Sequence, residues 1–143
     1  MRRLRDESGF TLIEILVVVL ILGVLIAVAV PGYFAFTGAA HTASAKANVR
    51  SAITAAEQIN NANANYAGIS GAALRSTAPG IGPSVKAVAV NSNLGYCIED
   101  TEDSGATFYN YVGGIVGSAV QAGYNAATIQ AGTCLQAVGV AAS

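Results

Sequence analysis

The residues best placed to do chemistry stand at the start of the chain, in Gly9-Phe10-Thr11-Leu12-Ile13-Glu14. A small residue ahead of an aromatic one reads as a processing site. Cutting between Gly9 and Phe10 creates a positive α-amino group on Phe10, with the Glu14 carboxylate four residues on. No Lys, Arg or His lies within residues 10–30 to pair with that acid. An acid inside a bilayer helix is costly, and such residues almost always find a partner. The new amine can neutralise Glu14 of its own helix, or Glu14 of a neighbouring subunit. The intersubunit pairing supplies a register device, because a mismatched partner stays buried and unpaired. The plain alternative places Glu14 near the membrane interface, snorkelling or protonated.

Little else in the chain offers catalysis. There is one histidine, His41, best read as a surface helix residue, and no Trp. The serines have no companion base, and no Gly-rich phosphate cradle follows a strand, so an enzyme is not expected. No cofactor and no metal site are expected either. The stretch Glu99-Asp100-Thr101-Glu102-Asp103-Ser104-Gly105 reads as a hairpin loop. Its carboxylates suit calcium in kind, but the spacing and glycine position are not those of an EF-hand. A solvated turn is the simpler reading. Cys97 and Cys134 fit no zinc spacing. In an exported domain they read as a disulfide, worth about 4 kcal/mol through the unfolded state. Two buried thiols are the alternative.

The elements that position these residues divide the chain into unequal parts. Hydrophobic residues make up 53% and charged residues only 10%, far below the roughly 25% charged of ordinary soluble domains. Most of that excess lies in residues 10–30, an apolar run interrupted by Thr11, Glu14 and Gly23. At ~1.5 Å per residue, such a helix spans about 30 Å, the thickness of a bilayer core. Arg2, Arg3 and Arg5 precede it, which predicts a cytoplasmic N-terminus and an outward-facing remainder. A secretory signal has its cleavage site after the apolar stretch. Here the small residue comes before it, so processing removes the basic head (residues 1–9) and keeps the stem. Formal net charge is −1, and no basic patch survives that would hold nucleic acid.

Pro31 and Gly32 end the run and predict a kink or local melting of any helix that crosses them. Residues 31–63 continue as an amphipathic helix, with Val49, Ile53, Ala56 and Ile59 as the face that packs on a sheet. Lys46, Arg50, Glu57 and Asn61 fall largely elsewhere. The Gly- and Pro-rich stretch 64–84 reads as a long surface loop. Strand candidates follow at 85–90, 94–98 and 107–112, with weaker ones at 126–130 and 135–140. Phe108 is expected inward, with Tyr109 and Tyr111 on the opposite face. Phe34 and Phe36 are expected to touch neighbouring stems. The economical outcome is an α+β fold: a long N-terminal helix packed on a small antiparallel sheet, with residues 64–143 forming the head.

Together, the basic head, Gly9-Phe10-Thr11-Leu12-Ile13-Glu14, the apolar run and Pro31-Gly32-Tyr33 resemble the class III signal of type IV pilins and type II secretion pseudopilins. The resemblance covers residues 1–60 and is only architectural beyond them. It implies cleavage between Gly9 and Phe10 by a membrane prepilin peptidase, and N-methylation of Phe10. It further implies pairing of Glu14 with the Phe10 amine of an adjacent subunit, a helix kink at Pro31-Gly32, and a C-terminal disulfide matched in kind by Cys97 and Cys134. The implied partners are further copies of the chain, the peptidase, an inner-membrane assembly platform and, before assembly, the membrane. The implied product is an extracellular pilus filament built from a single-pass precursor. Two other readings are a major pseudopilin of a type II secretion system and a membrane-anchored binding domain that never polymerises.

Overall fold

The computed structural model describes residues 9–101 and 107–143. The arginine-bearing head and most of the acidic stretch, from Glu102 to Gly105, lie outside the described residues. The chain is α+β. Its elements are α1 (Leu12–Asn63), α2 (Gly71–Thr77), β1 (Lys86–Val90), β2 (Gly95–Thr101), β3 (Phe108–Gly114), a 3-10 turn (Gly117–Ala119), β4 (Gln130–Ala131) and α3 (Cys134–Val138). Two compact units divide after Thr37, and α1 contributes to both.

The first unit is the apolar part of α1. Its Leu, Ile and Val side chains are all exposed, from Leu12 at 82% to Val30 at 44%. By length and composition this stretch is able to cross a bilayer. Helical hydrogen bonding continues on both sides of Pro31, which sits inside α1.

The second unit holds two cores on opposite faces of one antiparallel sheet, ordered β1-β2-β3-β4. Adjacent strands pair in simple register, Val88 with Cys97 and Ile98 with Tyr111. On one face, Val49, Ala52, Ala55 and Ala56 of α1 meet Leu74, Ala87, Tyr96 and Ile98. Alanine dominates this helix face because a small side chain brings the helix close to the sheet. Ile53 and Ile59 pack at its margin, half-buried. On the other face, Cys97 and Val112 meet Cys134, Ala137 and Val138 of α3. β2 is central and covered on both sides, so six of its residues are buried in succession, polar ones included.

Several expectations need correction. Glu99 and Asp100 are not loop residues: they belong to β2 and are buried at 7% and 0% exposure. The stretch 64–84 is not a plain loop, because it contains α2 and buries Tyr66, Ile69, Leu74 and Ile81. The strand expected at 135–140 is a helix. Thr133 and Gln136 form a reciprocal capping box at its start, and Gly139, at φ 74°, closes its end. The weak strand at 126–130 shrinks to Gln130 and Ala131. On β3 the tyrosines face α1, where Tyr111 packs on the first core and the Lys46 ammonium lies 4.9 Å above the Tyr109 ring. Phe108 is only half-buried, and Val112 fills the second core instead.

Candidate functional site

Gly9 and Phe10 are exposed and precede the helix, Phe10 at 85%. Thr11 is the N-cap residue that separates them from α1. Its backbone N–H and its hydroxyl both donate to Glu14 Oε2, each at 2.8 Å. The Glu14 backbone N–H donates in return to Thr11 Oγ1 at 3.3 Å. This is a capping box, in which the first helical turn uses an acid three residues on to satisfy its own orphan N–H groups. It explains locally why the helix starts at Leu12 and not earlier. The Gly9–Phe10 bond therefore lies outside the helical hydrogen-bond ladder.

Glu14 thus has a partner that is not a cation, the Thr11 N–H and hydroxyl. The Thr-x-x-Glu spacing was the available signal, a helix-start signature before an apolar run. The carboxylate is also stabilised by its place at a helix N-terminus, where the macrodipole favours negative charge.

The remaining candidate residues do not join this site. Pro31 and Gly32 stand inside α1, about five turns along it. Cys97 and Cys134 are joined as a disulfide in the second unit, with 5.8 Å between their Cα atoms. It ties β2 to α3, and the Cys134 N–H donates to the buried Glu99 Oε2 at 2.5 Å. Among the described residues, no cluster of three or more His, Cys, Asp or Glu side chains has the arrangement of a metal site. His41 is a half-buried residue of α1.

A second polar cluster was not foreseen. Glu57 of α1 accepts hydrogen bonds from Tyr96 Oη at 2.9 Å and from Tyr66 Oη at 3.1 Å. The two rings lie 4.6 Å apart, and Tyr111 extends the stack. Burial pushes both hydroxyls up, reinforced by the bond to Glu57; Tyr66 rises to about 12. Asp100 is held by the Asn48 amide at 2.8 Å and by the N–H of Thr101 at 3.0 Å. Both arrangements fasten α1 to the sheet.

The family described as the prokaryotic N-terminal methylation motif matches residues 4–30. This is the class III signal of type IV pilins. The match ends at Val30, where the aliphatic run ends. No curated protein and no solved structure matches the chain. The prepilin signal implies processing by a prepilin peptidase, and together with the apolar helix it fits a membrane-anchored precursor of a pilin or pseudopilin-like subunit.

Proposed function

We propose that this chain is a type IV pilin, a structural subunit and not an enzyme, which polymerises through its N-terminal helix into a filament on the cell surface. The observation that supports the reading best is the geometry at residues 9–14. The Gly9–Phe10 bond is exposed and non-helical, and the acid meant to receive the new amine stands directly behind it. In this reading the precursor waits in the cytoplasmic membrane with its basic head inside. The peptidase removes residues 1–9, and Phe10 is N-methylated.

An assembly platform then lifts the subunit into a bundle of stems. Within lipid the aliphatic surface gains little from helix association, since lipid tails are as apolar as Leu. Once lifted toward water, each exposed Leu, Ile or Val contributes roughly 1.5–3 kcal/mol when neighbours cover it. The stems therefore cohere in the fibre while the monomer remains soluble in the bilayer. Head-to-tail packing of identical subunits, with a rotation that does not close, yields an open filament. The Phe10 amine of one subunit, meeting Glu14 of the next, sets the axial step.

The test is direct. Surface fibres are sheared off and their main polypeptide is measured by mass spectrometry. The expected product begins at N-methyl-Phe10. Fibres whose subunit still starts at Met1 refute the reading. Glu14→Ala is expected to leave processing intact while removing most fibres from electron micrographs. Abundant fibres from that variant contradict the pairing.

A further inference from the structure

The stem carries aromatic residues only at its two ends. Phe10 stands at one, and Tyr33, Phe34 and Phe36 at the other, with no Phe, Tyr or Trp between. Phe10 and Tyr33 are about 23 residues apart, or roughly 35 Å along a helix. That distance slightly exceeds a bilayer's hydrocarbon thickness and falls within its headgroup-to-headgroup span.

The second cluster has a particular shape. Tyr33, Phe34 and Phe36 are exposed at 66%, 68% and 73%. At ~100° per residue they spread over about 160° of the helix circumference, yet within a single turn. A helix–helix seam repeats along the axis within a narrow stripe. These side chains instead form a transverse collar at one level. Tyr33 adds a hydroxyl, the feature that suits an aromatic ring to a membrane–water boundary. Thr37 Oγ1 donates to the Phe34 carbonyl at 3.1 Å, so polar side chains begin at this level.

We propose that Tyr33, Phe34 and Phe36 seat in the outer headgroup region of the bilayer and fix the depth of the stored precursor. With the collar at the outer boundary, the Gly9–Phe10 bond lies at the inner boundary, within reach of a membrane-embedded peptidase. The partner is a lipid surface. The inference rests on the membrane-stored precursor proposed above, but not on polymerisation.

The chain contains no Trp, so one introduced indole reports alone. Full-length precursor carrying Leu22→Trp or Phe34→Trp is placed in phosphatidylethanolamine–phosphatidylglycerol vesicles. Part of the lipid is brominated near the headgroup in one set and near the chain end in another. At Leu22 the deep bromines should quench more strongly. At Phe34 the shallow ones should, the deep-to-shallow ratio differing about twofold or more between the sites. Tyr33→Ala, Phe34→Ala and Phe36→Ala together, in the Leu22→Trp background, should move that indole off the midplane and lower its ratio. An unchanged ratio in the triple variant overturns the proposal. So does an indole at position 34 that is unquenched, or is quenched mainly from the deep side. If the indole at position 22 is untouched by either lipid, the membrane-stored precursor itself fails, and the collar with it.

Discussion

Glu57→Ala removes the one acceptor shared by Tyr66 and Tyr96, and its cost follows from the geometry. Tyr96 is fully buried, and its hydroxyl reaches Glu57 at 2.9 Å. Tyr66 is 3% exposed, and its hydroxyl lies 3.1 Å from the other carboxylate oxygen. A hydrogen bond to a charged group is worth about 1.5–3 kcal/mol, and a buried donor left unpaired costs about 1–3 kcal/mol. Tyr66 lies beside the half-exposed carboxylate and recovers part of its loss from water. The expected destabilisation is therefore about 3 kcal/mol, or on the order of 10–20 °C in Tm for a domain of this size. Glu57→Gln keeps one acceptor oxygen and should cost about 1 kcal/mol. Tyr96→Phe removes the donor together with its need, so adding it to Glu57→Ala should cost less than the two changes summed, by about 1–2 kcal/mol. Urea unfolding of the detergent-solubilised protein, followed by far-ultraviolet circular dichroism, measures all four variants. If Glu57→Ala falls within about 0.5 kcal/mol of wild type, the cluster does not fasten α1 to the sheet and the reasoning fails.

The same tyrosines predict alkaline sensitivity. In the unfolded chain they ionise near 10.0, whereas Tyr66 holds its proton to about 12 when folded and Tyr96 is also raised. The folded state then binds more protons, so their contribution is complete below pH 10 and declines as pH rises toward 12. A urea midpoint that does not fall across that window, with tyrosinate absorbance recorded in parallel, contradicts the assignment. Replacing both Cys97 and Cys134 with Ser should cost about 4 kcal/mol from the closed loop, read from the unfolding midpoint with and without reductant. At the processing site, Gly9→Leu should leave the precursor uncut while Gly9→Ala remains a substrate. An unchanged mature mass from Gly9→Leu contradicts the cleavage position.

What was readable in advance depended on how local each cause is. The class III signal is a string of adjacent residues whose chemistry needs no tertiary partner. The membrane-length run is also plain, because length and aliphatic content suffice. The first three strands stood out through their turn residues and alternation. Two of the features passed over had a local signal of their own. At residues 135–140 the aliphatic run suggested a strand, while Thr133, Gln136 and Gly139 marked a short helix with both caps. At Glu14 the absence of a nearby positive charge drew attention away from the Thr11 hydroxyl three residues before it.

By itself, then, the amino-acid order determined the class III signal, the membrane-length stem and the separation of both from a small α+β head. These depend on neighbours within a turn or on bulk hydrophobicity along one segment. Only the tertiary structure decided that Glu99 and Asp100 are interior, that Glu57 bonds two tyrosines, and that the sheet carries a core on each face. Composition favours water for a carboxylate. A central strand covered on both sides leaves no water there, and the outcome then depends on donors brought from distant parts of the chain: the Asn48 amide for Asp100 and the Cys134 N–H for Glu99.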